Sequence, residues 1–173
     1  SSSAWYYDAA KYVTDKQLMS GEKPYVFGAD EALTRAEVAS ALYNLAGQPK
    51  VELASFTDVP VTHQARTAIA WAAKTGIMKG VGDNKFEPDR SVSREEIATL
   101  LTRQRKLSGV DVTADKNEVS AFVDSAKISS WAVDGVAYCT KSGLVKGNPG
   151  KVFAPAGNTT RAELATIIQR IAA

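Results

Sequence analysis

Three arginines stand in one recurring four-residue setting: Thr34-Arg35-Ala36-Glu37, Ser93-Arg94-Glu95-Glu96 and Thr160-Arg161-Ala162-Glu163. A guanidinium is a planar fork that can meet a carboxylate in two parallel hydrogen bonds. A helix start adds unpaired N–H groups and partial positive charge. An arginine at the first position of a helix is therefore a candidate carboxylate receptor, each charge-assisted hydrogen bond contributing roughly 1.5–3 kcal/mol. Its structural competitor is a solvated surface arginine. A cation also conflicts with the helix dipole there, and three repeated conflicts point to a use beyond stability. Glu37, Glu96 and Glu163 have a simpler reading. In a Ser/Thr-x-x-Glu capping box the hydroxyl accepts the third residue's N–H, and the Glu reaches back to the cap residue's N–H.

Other chemistries lack their residues. The single Cys139 excludes an internal disulfide and a thiolate metal site. The single His63 leaves little for a zinc site or a triad, and it reads as a surface residue near a helix start. Cys139 aligns with Val13 and Ala72 and reads as a small buried residue. No cofactor is expected. A formal charge of +2 over 173 residues, with Arg103, Arg105 and Lys106 as the densest basic patch, gives no case for nucleic acid. The longest clean apolar run, residues 68–73, is far short of the roughly 20 residues a bilayer needs. The absence of a leader-like start is read as a cytosolic protein or a mature or trimmed piece of an exported one.

The elements that must position the arginines repeat. Gly21, Gly80 and Gly147 are 59 and then 67 residues apart, and those offsets align the rest without gaps. Tyr12, Trp71 and Tyr138 fall in register, as do Leu18, Ile77 and Leu144, and Phe27, Phe86 and Phe153. Phe56-Thr57-Asp58 and Phe122-Val123-Asp124 open the second and third repeats; the first lacks this opening, whose place would fall before Ser1. Each repeat reads as helix, loop, helix. First helices are expected over residues 4–19, 62–75 and 130–142. Gly76 and Gly143 suit left-handed helix ends, whereas Gln17 in the first repeat predicts a different ending. Each second helix starts at its capping box and carries an apolar stripe, such as Val38, Ala41, Leu42 and Leu45. The expected fold is all-α, three helical hairpins around a shared core, with repeats at 1–48, 49–110 and 111–173 in one compact domain.

These residues resemble the S-layer homology family. The likeness rests on Gly76-Ile77-Met78-Lys79-Gly80, Gly143-Leu144-Val145-Lys146-Gly147, the three Ser/Thr-Arg-x-Glu helix starts, the Phe-x-Asp openings and Trp131, and it spans essentially the whole chain. The resemblance implies a pseudo-three-fold spindle around a central three-helix bundle. It implies grooves between repeats that bind a secondary cell-wall polysaccharide linked to peptidoglycan, typically through pyruvylated N-acetylmannosamine. It implies a secreted, non-catalytic module that anchors S-layer and other surface proteins to the cell wall, with self-association left to regions outside this chain.

For that ligand the candidate binding residues are Arg35, Arg94 and Arg161 for the carboxylate. Tyr12, Trp71 and Tyr138 are candidates for packing on the sugar ring, with core aromatics as the competing reading. Gly21, Gly80 and Gly147 would allow close approach, with helix or turn caps as the alternative. Lys79 and Lys146 add charge, and Ser20 takes that place in the first repeat. Trp5 and Trp131 align with Gln64, and Ala156 replaces Asp30 and Asp89, so the grooves are expected to be unequal. Arg94→Ala is expected to weaken binding without unfolding. The competing functions are a protein-binding scaffold of a surface lattice and a glycosidase, which would need two carboxylates across a cleft.

Overall fold

The computed structural model describes residues 3–21, 23 and 26–172. Six α-helices follow in order: α1 (Tyr7–Asp15), α2 (Arg35–Leu45), α3 (Arg66–Lys74), α4 (Arg94–Leu107), α5 (Val133–Lys141) and α6 (Arg161–Ala172). Two 3-10 turns, Lys116–Ala121 and Ser125–Lys127, lie between α4 and α5. Among the described residues extended pairing is limited to isolated bridges, so the fold is all-α.

The second helix of each repeat starts where its sequence requires. Glu37 N–H donates to Thr34 Oγ1 at 3.2 Å and Thr34 N–H to Glu37 Oε2 at 2.8 Å. Ser93 with Glu96, and Thr160 with Glu163, repeat the box. Such a cap contributes about 1 kcal/mol.

The first helices are shorter than expected, nine residues each. Tyr6, Ala65 and Ala132 precede them without a side-chain cap, and a tight turn stands where another helical turn was expected. In these turns Tyr7, Arg66 and Ala132 N–H donate to the carbonyls of Ala4, His63 and Ser129. The expected difference at Gln17 is corrected. Gln17 adopts φ 55°, as Gly76 and Gly143 adopt 75° and 70°, and all three helices end in one left-handed cap.

The helices fall into two compact units. The first, Ser1–Ser91 with Thr160–Ala173, packs α1 on α6 and α2 on α3 over Val13, Leu33, Leu42, Ile69, Phe86 and Ile168. The second, Val92–Thr159, packs α5 on α4 and on the Lys116–Ala121 turn. Gly135 on α5 allows that approach, since a Cβ there would lie 2.9 Å from Thr99 Cα.

Candidate functional site

The three arginines start their helices as expected but are almost wholly buried. Arg35, Arg94 and Arg161 are 7%, 6% and 5% exposed. Arg35 donates from Nε to Phe86 O at 2.8 Å and from Nη2 to Lys79 O at 2.7 Å. Arg94 donates likewise to Phe153 O at 2.7 Å and Lys146 O at 2.9 Å. Arg161 donates to Phe27 O and Ser20 O, and its Nη1 pairs with Glu37 Oε1. Each guanidinium also covers the ring of its phenylalanine, at 4.5, 5.4 and 5.1 Å from the centroid.

The expected open helix start is corrected too. Arg35 and Ala36 N–H donate to Arg90 O and Pro88 O; Arg94 and Glu95 to Gly157 O and Pro155 O; Arg161 and Ala162 to Glu31 O and Ala29 O. With the next N–H taken by the cap hydroxyl, these groups are spent on the fold. Carbonyl dipoles around each guanidinium also account for a cation beside the positive end of a helix. Arg94→Ala is therefore expected to leave the Phe153 and Lys146 carbonyls without this donor and to lower stability as well as binding.

The Phe-x-Asp openings complete the same joints. Asp58 accepts Phe86 N–H at 2.9 Å and Glu87 N–H at 2.7 Å, while Phe56 lies against Phe86 with centroids 5.4 Å apart. Asp124 accepts Phe153 and Ala154 N–H, both at 2.8 Å, and Phe122 lies against Phe153. Burial pushes both carboxyls up, but the backbone N–H groups outweigh it and hold them below the usual carboxylate range. The carboxylates steady residues in an unfavourable conformation: Glu87 and Ala154 are left-handed, φ 57° and 55°, where the first repeat has Gly28.

Two of the three aromatics, Trp71 and Tyr138, lie in the interior, which favours the core reading over sugar platforms for them. Trp71 is 4% and Tyr138 6% exposed, Trp71 packs on Tyr43, and half-buried Tyr12 donates to Ala172 O at 3.3 Å. Gly21, Gly80 and Gly147 are exposed, but their lack of a Cβ has a local reason. A Cβ would meet Val26 O at 2.7 Å, Lys85 O at 2.8 Å and the Phe122 ring at 2.6 Å, respectively. Lys79 and Lys146 side chains are exposed, while their carbonyls receive the arginines. Cys139 is fully buried with its thiol pushed up to about 12 by burial, so it is no nucleophile.

One cleft gathers several of these groups. Its volume is about 670 Å³, and its walls are Thr14 near the end of α1 with the following residues 17–21, one side of α2 from Ala36 to Asn44, and His63, Gln64 and Ala65. Arg161 and Glu37 meet inside it, and Asp89 stands at its edge. Thr14, Ser40, Asn44 and Gln64 contribute hydroxyl and amide groups, the complement that sugar hydroxyls need. Half-buried His63 is turned by its Nδ1, which accepts Ala65 N–H at 3.1 Å. Sequence reasoning missed Ser40, Asn44 and His63 as cleft residues, since only the packing of α2 beside the start of the second repeat unites them. Among the described residues no group of three or more His, Cys, Asp or Glu could hold a metal ion, and no helix is long and apolar enough to cross a membrane.

The S-layer homology domain model matches residues 1–39, 55–98 and 121–165. An amylopullulanase of Thermoanaerobacterium thermosulfurigenes is 33% identical over 95% of this chain and 9% of its own length. Exoglucanase XynX of Acetivibrio thermocellus is 32% identical over 95% of the chain and 15% of itself. An S-layer protein of Bacillus licheniformis is 29% identical over 79% of the chain and 14% of itself. The chain thus corresponds to a small part of each of these relatives.

Proposed function

This chain belongs to the S-layer homology domain family, and from that premise we propose that it is a non-catalytic module. It holds the polypeptide it is joined to on a bacterial cell wall by binding a pyruvylated secondary cell-wall polysaccharide. The carrying observation is the 670 Å³ cleft, where Arg161 and Gly21 meet a wall of hydroxyl and amide side chains. That combination suits an acidic sugar: a cation for the ketal carboxylate, small dipoles for the ring hydroxyls, and an exposed glycine beside the opening. Arg35 with Lys79 and Gly80, and Arg94 with Lys146 and Gly147, are proposed to serve the corresponding positions of the other repeats. The repeats, at 1–48, 49–110 and 111–173, bind with unequal strength.

The Arg161–Glu37 pair gives this reading a particular form. A ligand carboxylate must share a guanidinium already held by Glu37, so Arg161 supplies both stability and charge. The relatives named as enzymes have room for catalysis elsewhere, since this chain matches 9% and 15% of their lengths. Co-sedimentation with purified Gram-positive walls tests the proposal. Binding is expected to intact walls and to be lost when the secondary polymer is stripped. Retention by stripped walls would overturn it, and self-pelleting without walls would favour a protein lattice scaffold.

A further inference from the structure

The hydrogen-bond donors around the 670 Å³ cleft are mostly committed to the protein itself. Thr14 Oγ1 donates to Ala10 O at 2.8 Å and Ser40 Oγ to Ala36 O at 2.9 Å, each one helical turn back. These hydroxyls therefore keep only lone pairs for a ligand. Asn44 donates from Nδ2 to Leu18 O at 3.2 Å, and its Oδ1 accepts from Gln48 Nε2 at 3.0 Å. Arg161 spends three of its five N–H groups, on Phe27 O, Ser20 O and Glu37. Gln17 and Gln64 carry amides, but both residues are exposed and would have to be ordered on binding.

His63 differs from all of these. Its backbone is fixed on both sides: its N–H donates to Pro60 O at 2.9 Å, and its carbonyl accepts Arg66 N–H at 3.0 Å. Nδ1 accepts Ala65 N–H at 3.1 Å, which a protonated nitrogen cannot do, so the ring proton is on Nε2. Nε2 is on the opposite edge of the ring and meets no partner among the described residues. The residue is half-buried in the cleft wall, so little freedom is left to lose on binding. We propose that His63 is a ligand-binding residue of this cleft, donating its Nε2–H to an uncharged oxygen of the acidic sugar, an acetamido carbonyl or a ring hydroxyl. The inference rests on the reading of the cleft as the sugar site. It divides the work: Arg161 faces the carboxylate, His63 is the oriented donor to a neutral oxygen, and Thr14 and Ser40 accept from hydroxyls. Glu37 and Asp89, the carboxylates of the cleft, are acceptors and cannot take the donor's part.

Two substitutions separate the two edges of the ring. His63→Asn puts an amide oxygen where Nδ1 accepts and leaves nothing at Nε2. His63→Gln puts an amide N–H near the place of Nε2 and gives up the contact with Ala65. Both are read in the 173-residue chain by thermal melting and by calorimetric titration with pyruvylated N-acetylmannosamine. His63→Asn is expected to melt with the unsubstituted chain and to bind about fivefold more weakly. His63→Gln is expected to melt roughly 3 °C lower and to bind within about twofold of the unsubstituted chain. Undiminished binding by His63→Asn overturns the proposal and leaves the sugar site standing. So does an affinity loss that follows the fall in melting temperature across the two variants, which would make His63 a helix cap only. No binding by the unsubstituted chain overturns the sugar reading and this inference together.

Discussion

Arg35 donates its Nε–H to the carbonyl of Phe86 at 2.8 Å while its guanidinium lies 4.5 Å from the centre of the same residue's ring. Asp58 takes Phe86 N–H at 2.9 Å, so this one residue is held through its ring, its carbonyl and its amide. The joint ties the start of α2 to a loop 51 residues away. Arg35→Ala strands the Phe86 and Lys79 carbonyls, and a loss of about 3 kcal/mol is expected in denaturant unfolding. Arg35→Lys keeps the charge but not the fork, and recovers only part of the loss. A loss below about 0.5 kcal/mol for Arg35→Ala would show that the joint is incidental.

The loop residue after each joint phenylalanine is left-handed, and only the first repeat places a glycine there. Glu87→Gly and Ala154→Gly are each expected to stabilise by about 0.5–1 kcal/mol, because the Cβ strain disappears. Gln17→Gly at the end of α1 should do the same. Thermal unfolding reads all three, and destabilisation at any of them would contradict the strain assigned to that position.

Thr159 occupies the place that Leu33 and Val92 hold in the other repeats, and all three are buried. Its Oγ1 has no hydrogen-bond partner among the described residues. Thr159→Val removes an unpaired buried hydroxyl at constant shape and is expected to add about 1 kcal/mol. A drop in stability on substitution would mean that the hydroxyl is in fact bonded.

Much of this architecture could be read from the amino-acid order because capping boxes and apolar stripes are local. Thr34, Ser93 and Thr160 fix the start of α2, α4 and α6, and the three-fold register of Phe27, Phe86 and Phe153 was visible by counting. The partners of the arginines were not. Arg161 meets backbone carbonyls 134 and 141 residues away, and a carbonyl acceptor leaves no side-chain signature. That is also why Ser20 can stand where Lys79 and Lys146 stand. Trp71 and Tyr138 were ambiguous for another reason: an aromatic on a nine-residue helix suits a core as well as a groove, and only the packing decides, which buries both and sets Trp71 against Tyr43.

Acid should loosen the two complete joints. Asp58 and Asp124 have carboxyls below the usual range, so their stabilisation is fully present above the unfolded value near 3.8 and is lost as pH falls through the lower folded value. Stability is expected to decline below about pH 4, and the decline to be shallower in Asp58→Asn with Asp124→Asn. An identical pH profile in the double variant would remove these carboxylates from the account of acid sensitivity.

The central claim is recognition of an acidic wall sugar, and calorimetric titration with pyruvylated N-acetylmannosamine tests it most directly. Saturable binding is expected, with fewer than three equal sites per chain and no measurable heat from the same sugar lacking its ketal. Equal affinity for the two sugars, or no binding to either, would contradict the claim.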